Sequence, residues 1–166
     1  MKISKTIQEA LNRQINLEQA SAHAYLAMAA WFEQRALSGF GRWMRLQSEE
    51  ETGHAMKFLD YLLDRDGTVQ LLAIPEPVGS FDSPLGAFKA SQEQERSVTA
   101  SIYELYDLAH GEKDYATVSM LKWFVDEQVE EEKSVADMVD RLKLAGDRPD
   151  ALILLDSMAA KRQEET

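Results

Sequence analysis

Five glutamates and one histidine stand where the surrounding residues call for an apolar face. Glu18 falls between Ile15 and Ala22, Glu51 between Met44 and Phe58, and Glu95 between Phe88 and Ile102, while Glu127 and Glu131 follow Phe124. Steps of three and four keep side chains on one face of a helix, so acid lies on the inward stripe of four separate segments. A buried carboxylate without a partner is strongly unfavourable, and four segments that each insert one must neutralise them together. Bound cations do this directly. His54 follows Glu51 by three residues, which places an imidazole beside a carboxylate on the same face. A single Glu-x-x-His on a helix is ordinarily a solvated pair, and it is the combination that carries weight. The chain has no cysteine, which removes thiolate ligands and cysteine nucleophiles. Oxygen-rich ligation with one imidazole suits Fe2+ or Mn2+, and iron leads on redox grounds.

The elements that must position these residues are four long helices. The first spans about Ser4 to Gln34, with Ile7, Leu11, Ile15, Ala22, Tyr25, Ala29 and Phe32 as its stripe, and is expected to end near Ser38-Gly39. The second spans about Gly41 to Asp66, with Met44, Phe58 and Leu62 inward and Gly67 as the expected C-terminal cap. Gly67 to Ser83, 17 residues with Pro75, Pro77 and Gly79, is too long for a turn, and Leu71, Leu72 and Ile74 are too apolar for free solvent. An extended chain advances about 3.3 Å per residue against about 1.5 Å in a helix, so this segment can run back along the bundle and leave the second and third helices parallel. Ser83-Pro84 supplies an N-cap followed by proline for the third helix, which carries Phe88, Ile102 and Tyr106 to His110-Gly111. The fourth runs from about Asp114 to Ala145 with Met120, Phe124, Val135, Met138 and Leu142 inward, and Gly146 ends it. A short fifth helix over about 148–161 carries Leu152, Leu155 and Met158, more apolar surface than a free tail should expose. The fold class is all-α, a single domain of 166 residues with the four-helix bundle over about 4–145.

Composition agrees with this class and excludes others. The 45% apolar and 28% charged residues are ordinary for a folded chain. The net charge of -11 repels phosphate backbones, so nucleic acid is not an expected partner. The longest mainly apolar run, Ala151 to Leu155, is far short of the roughly 20 residues a membrane span needs, and no cationic start leads into an apolar export signal. A cytoplasmic location is expected.

Glutamates from two helices, a Glu-x-x-His on a third and clustered acids on a fourth match the core site of carboxylate-bridged dimetal bundles. Three segments are more specific: Asn16-Leu-Glu18-Gln-Ala-Ser-Ala-His-Ala-Tyr25-Leu, Ser48-Glu-Glu-Glu51-Thr-Gly-His54-Ala and Trp123-Phe-Val-Asp-Glu127-Gln128-Val-Glu130-Glu131. With the crossover and the fifth helix, they make nearly the whole chain resemble the non-haem, prokaryote-like ferritins. The resemblance implies a homo-oligomeric shell of about 24 subunits that oxidises Fe2+ with O2 or H2O2 at a di-iron ferroxidase centre and stores the ferric product. One iron would take Glu18, Glu51 and His54, and the second Glu51, Glu95 and Glu131. A third, weaker iron site toward the cavity would use Glu50, Glu127 and Glu130, sharing Glu131. Gln128 matches the position beside the second iron, and Tyr25 and Trp123 match an aromatic pair beside the centre.

Departures from related patterns refine this expectation. Bacterioferritins would carry a second Glu-x-x-His on the fourth helix and a haem-ligating Met directly after the bridging glutamate, where this chain reads Glu131 and Thr52, so haem is not expected. The acids of animal three-fold channels are replaced by Val118 and Leu121, and some mineral-nucleating acids by Gly53 and Met56, leaving Glu50 or Asp60 as other cavity acids. His23 and His110 are expected to be structural, the latter in a last helical turn, and the Met residues with Trp31 and Trp43 to pack in the core or between subunits. Tyr25 stays open between core packing with its hydroxyl on a carboxylate and electron donation. Two other functions share the pattern: a di-iron oxidase or peroxidase of small molecules, and a structural cage subunit with little catalysis.

Overall fold

Long stretches of strong helix formers, interrupted where a cap can form, give five helices and no strand in the computed structural model, which describes residues 3–162. They are α1 (Lys5–Glu33), α2 (Ser38–Asp64), α3 (Pro84–Gly111), α4 (Tyr115–Ala145) and α5 (Pro149–Ala159). Ser4, Ser83 and Asp114 each accept a hydrogen bond from a backbone N–H three residues on, satisfying donors that the first turn leaves open. Helices α1 and α2 pack as one hairpin and α3 and α4 as another, α1 also lies against α3, and α5 sits on the ends of α2 and α4.

Two helix ends differ from expectation. Ser38-Gly39 does not end α1 but opens α2, three residues before the expected Gly41. The stop is Ala36, at φ 58°, where the Leu37 N–H bonds to the Phe32 carbonyl and the Ala36 N–H to that of Glu33. Asp66 (φ 55°) and Lys113 (φ 57°) close α2 and α3 in the same way. Gly67 is therefore one residue beyond the left-handed position, and glycine serves there because a Cβ would lie 2.3 Å from Leu62 Cδ1. Gly146 ends α4 as expected, at φ 56°.

The core is divided. One cluster holds Tyr25, Phe32, Phe40, Trp43, Phe88 and Val135 with their neighbours, and the other holds Ile7, Leu11, Ile15, Phe58, Leu62, Ile102 and Phe124. Along α1 the chain passes from the second cluster to the first, along α2 and α3 from the first to the second, and along α4 back again. Helices α2 and α3 thus run parallel, joined by the crossover. Between the clusters each helix contributes buried polar residues: Gln14 and Glu18, then Gln47, Glu51 and His54, then Ser91 and Glu95, then Gln128 and Glu131.

The crossover is pinned to α1 by a ladder of amides. Asn12 donates to the Thr68 carbonyl at 2.9 Å and accepts from the Gln70 N–H at 2.7 Å, Gln8 accepts from the Thr68 N–H, and Asn16 donates to the Ala73 carbonyl. Val69 and Phe81 at its ends pack against the two core clusters, but its middle does not pack inward as its composition implies: Leu71, Leu72, Ile74 and Val78 are exposed. In the fifth helix Leu155 is buried and Leu152 partly so, whereas Met158 faces out together with Ile153 and Leu154. Trp31 and Trp43 are core residues, but Met56 as well as Met158 is exposed, and Tyr106 and Met120 are only partly buried, against the second cluster. His23 and His110 lie on the surface, with His110 in the last turn of α3.

Candidate metal centre

The polar layer is a set of carboxylates with too few donors. Glu18, Glu51 and Glu95 are fully buried, Glu131 is 3% exposed and His54 4%. The Gln14 amide donates to Glu18 Oε1 at 2.8 Å, and the Gln47 amide to Glu131 Oε2 at 2.8 Å. Tyr25 donates to Glu95 Oε1, shares a 2.9 Å bond with Ser91, and Gln128 donates to Glu95 Oε2 at 3.3 Å. Four carboxylate oxygens of these buried glutamates remain without a donor, Glu18 Oε2, both Glu51 oxygens and Glu131 Oε1, as does Gln47 Oε1 beside them. Buried acceptors are almost always satisfied in folded proteins, so four on three neighbouring carboxylates call for a cation.

One position is already assembled. Single ligand atoms of Glu18, Glu51 and His54 lie within 4.8 Å of one another, with His54 Nδ1 3.6 Å from Glu51 Oε2. Glu95 and Glu131 face the same layer from α3 and α4, and their charges act on Glu51. Glu51 thus belongs to the group with Glu18 and His54 and also feels the charges of Glu95 and Glu131.

Burial sets the protonation of the layer. It raises the Glu18, Glu51 and Glu95 carboxyls above the ordinary carboxylate range; the Glu51 charge adds to this at Glu18, while the Glu18 carboxyl works against it at Glu51 and hydrogen bonding from Tyr25 and Gln128 does so at Glu95. Glu131 is pushed up to about 7 by burial and then by the Glu95 charge, against which the Gln47 amide works. Carboxyls raised in this way keep their protons to higher pH, and a divalent cation binding among them would release those protons. Burial, followed by the charge of Glu95, raises the Tyr25 phenol well above its usual value, so Tyr25 stands as a hydrogen-bond donor rather than a phenolate.

His54 packs edge-on against Trp123 and Phe124, with ring centroids at 5.5 and 5.8 Å, and Lys57 Nζ lies 3.0 Å over the Trp123 ring. Tyr25 meets the layer at Glu95 from within the core, and Trp123 meets it at His54 from a partly exposed position. The residues expected to hold a third ion are spread differently. Glu127 Oε1 is 4.0 Å from His54 Nε2, Glu130 is exposed, and Glu50 is paired with Arg162 at 2.8 Å.

Sequence reasoning missed the amides Gln14 and Gln47 and the arginine at residue 162. The amides leave a signal, since each precedes a buried glutamate of its own helix by four residues on the apolar stripe. Arg162 leaves none, because its partner is 112 residues away.

An antiparallel pair of helical hairpins with a long crossover and a midplane layer of carboxylates and one imidazole is the architecture shared by ferritin-like four-helix bundles. Comparison with known proteins narrows the class. The family model for the ferritin-like domain matches residues 8–145, and the chain belongs to the ferritin family. It is 42% identical over 160 residues to a bacterial non-heme ferritin of Staphylococcus haemolyticus, and 43% identical to that of Staphylococcus epidermidis, in each case across 96% of both chains. Among solved structures, an open-pore ferritin of Archaeoglobus fulgidus superposes with a TM-score of 0.96 at 49% identity, covering 98% of this chain and all of the other. A humanized archaeal ferritin gives 0.98 at 46% identity, covering 99% of this chain and all of the other.

Proposed function

We propose that this chain is an iron-storage ferritin subunit whose buried layer is a ferroxidase centre. The observation that carries the proposal is the group of four donorless carboxylate oxygens beside His54 inside a ferritin fold. Fe2+ is the substrate. Glu18, Glu51 and His54 bind one ion, Glu51, Glu95 and Glu131 the second, and Glu50, Glu127 and Glu130 a third at the side. Two ions sharing Glu51 supply two electrons together: two Fe2+ become two Fe3+, while O2 with two protons becomes H2O2, or H2O2 with two protons becomes two waters. The protein supplies positions, excludes bulk water and releases carboxyl protons as metal enters. Gln14, Gln47 and Gln128 aim the carboxylates, and Tyr25 fixes Glu95 through its hydroxyl.

The ferric product is stored in a shell of about 24 copies in the cytoplasm, and the 166 residues act as one ferritin-like domain. Support for assembly comes from the exposed Ile153, Leu154 and Met158 of α5 and Leu71, Ile74 and Val78 of the crossover, apolar surface that a second copy would cover. No described helix is long and apolar enough to cross a membrane.

Anaerobic Fe2+ titration followed by stopped-flow mixing with oxidant tests the reading. The parent should bind at least two ions per subunit and oxidise them rapidly. Glu51→Ala should assemble normally and lose the fast phase. Rapid oxidation persisting in Glu51→Ala would refute the assignment.

A further inference from the structure

The C-terminal end of α5 reaches into the side of the metal centre. Helix α5 is anchored at the start of α2, where Asp156 Oδ1 accepts the Phe40 N–H at 2.8 Å and the Asp156 carbonyl fills the space of a Gly39 side chain. Three residues beyond α5, the Arg162 guanidinium turns back over the Trp43 ring at 4.7 Å and donates from Nη2 to Glu50 Oε2 at 2.8 Å. Both partners are largely shielded, with side chains 14% and 17% exposed. The same guanidinium acts electrostatically on Glu131, the carboxylate that the second and third ions would share.

A guanidinium keeps its charge at every working pH and cannot be neutralised by losing a proton. Where a metal enters among carboxyls it displaces protons, but at Glu50 it meets a fixed cation. The pair is held through one amino group, since Arg162 Nη1 is buried without a hydrogen-bond partner, and so lacks the two-point geometry of a forked arginine–carboxylate pair. Glu50 also precedes Glu51 by one residue and points about 100° away from it around α2, so Arg162 leaves the Glu18–Glu51–His54 group clear.

We propose that Arg162 is a resident counter-cation of the side site, which a third metal ion must displace from Glu50 before it can bind. The proposal rests on the ferroxidase reading above. It makes the weakness of the third position a property of the α5 arm rather than of the ligands, and filling that position moves the arm. Arg162 is a positioning residue here: it touches a ligand, not the metal.

Zn2+, which has no redox chemistry, isolates binding from turnover. Calorimetric titration of assembled metal-free shells should resolve a tight class, which Arg162→Gln does not weaken, and a weaker class, which it tightens about tenfold or more, the factor for one charge-assisted hydrogen bond. Arg162→Lys keeps a cation and should stay within about threefold of the parent. A chain ending at Lys161 keeps all of α5 and should reproduce Arg162→Gln, which guards against a local folding effect of the substitution. If the tight class is intact and neither Arg162→Gln nor the shortened chain changes the weaker one, the proposal is overturned. A parent that takes up no Zn2+ tightly overturns the ferroxidase reading itself, and this inference with it.

Discussion

Replacing Glu131 by glutamine should stabilise the metal-free protein at high pH while removing a ligand. The carboxyl is 3% exposed, and burial and the Glu95 charge raise it from 4.5 to about 7. A carboxyl raised on folding binds more protons folded than unfolded, so it makes stability fall as pH rises from about 4.5 to about 7 and then leaves it level. At about 1.4 kcal/mol per pH unit, the loss accumulates to about 3 kcal/mol. Glutamine removes that loss without removing contacts, because its amide oxygen can still accept the Gln47 bond now made to Oε2. Its amino group takes the place of Oε1, which has no partner to lose. For a chain of this length, about 3 kcal/mol corresponds to about 6–12 °C in melting temperature. Scanning calorimetry of Glu131→Gln and parent, with chelator and at equal protein concentration, should give that gap at pH 8 and close it by pH 4.5. A gap that is absent at pH 8, or that does not shrink on acidification, would refute the argument that burial raises the Glu131 carboxyl.

Three further outcomes follow from the same geometry. Metal entry should release protons, because the Glu18, Glu51, Glu95 and Glu131 carboxyls are all raised by burial; a pH-stat titration with Zn2+ should record more base consumed per ion at pH 6 than at pH 8, where Glu131 is already ionised. Glu130→Ala should keep the fast phase of Fe2+ oxidation and alter only iron per subunit and later turnover, whereas His54→Ala should remove the fast phase, as stopped-flow absorbance would record. Gly39→Ala should loosen α5, since the added Cβ would lie 1.8 Å from the Asp156 carbonyl oxygen; a stability loss of about 2 kcal/mol or more with faster amide exchange at Phe40 is expected, and native melting would contradict the packing.

The helices and their buried faces were legible because apolar spacing, N-cap residues and proline act within one or two turns. Ser4 and Ser83 mark their helices for this reason, and the 17 residues from Gly67 to Ser83 sufficed to make α2 and α3 parallel. The inward carboxylates were legible too, since Glu18, Glu51, Glu95 and Glu131 put charge on mainly apolar stripes. What stayed hidden depends on conformation or distance. Ala36, Asp66 and Lys113 take left-handed backbone without being glycine, because two hydrogen bonds at each helix end impose it. The Asn12 ladder, the Asp156 bond to α2 and the Arg162 pair to Glu50 join residues 56 or more positions apart, and no spacing rule reaches that far. The exposure of Leu71 and Ile74 was likewise invisible, since composition gives apolarity but not the surface that covers it.

The two apolar clusters meet across a plane with few oily contacts of its own. Buried carboxylates from all four helices stand there instead, joined to their neighbours by the amides of Gln14, Gln47 and Gln128 and the Tyr25 hydroxyl. On the reading proposed above, cations entering this plane would draw on every helix at once, so filling the site and bracing the rod would be one event.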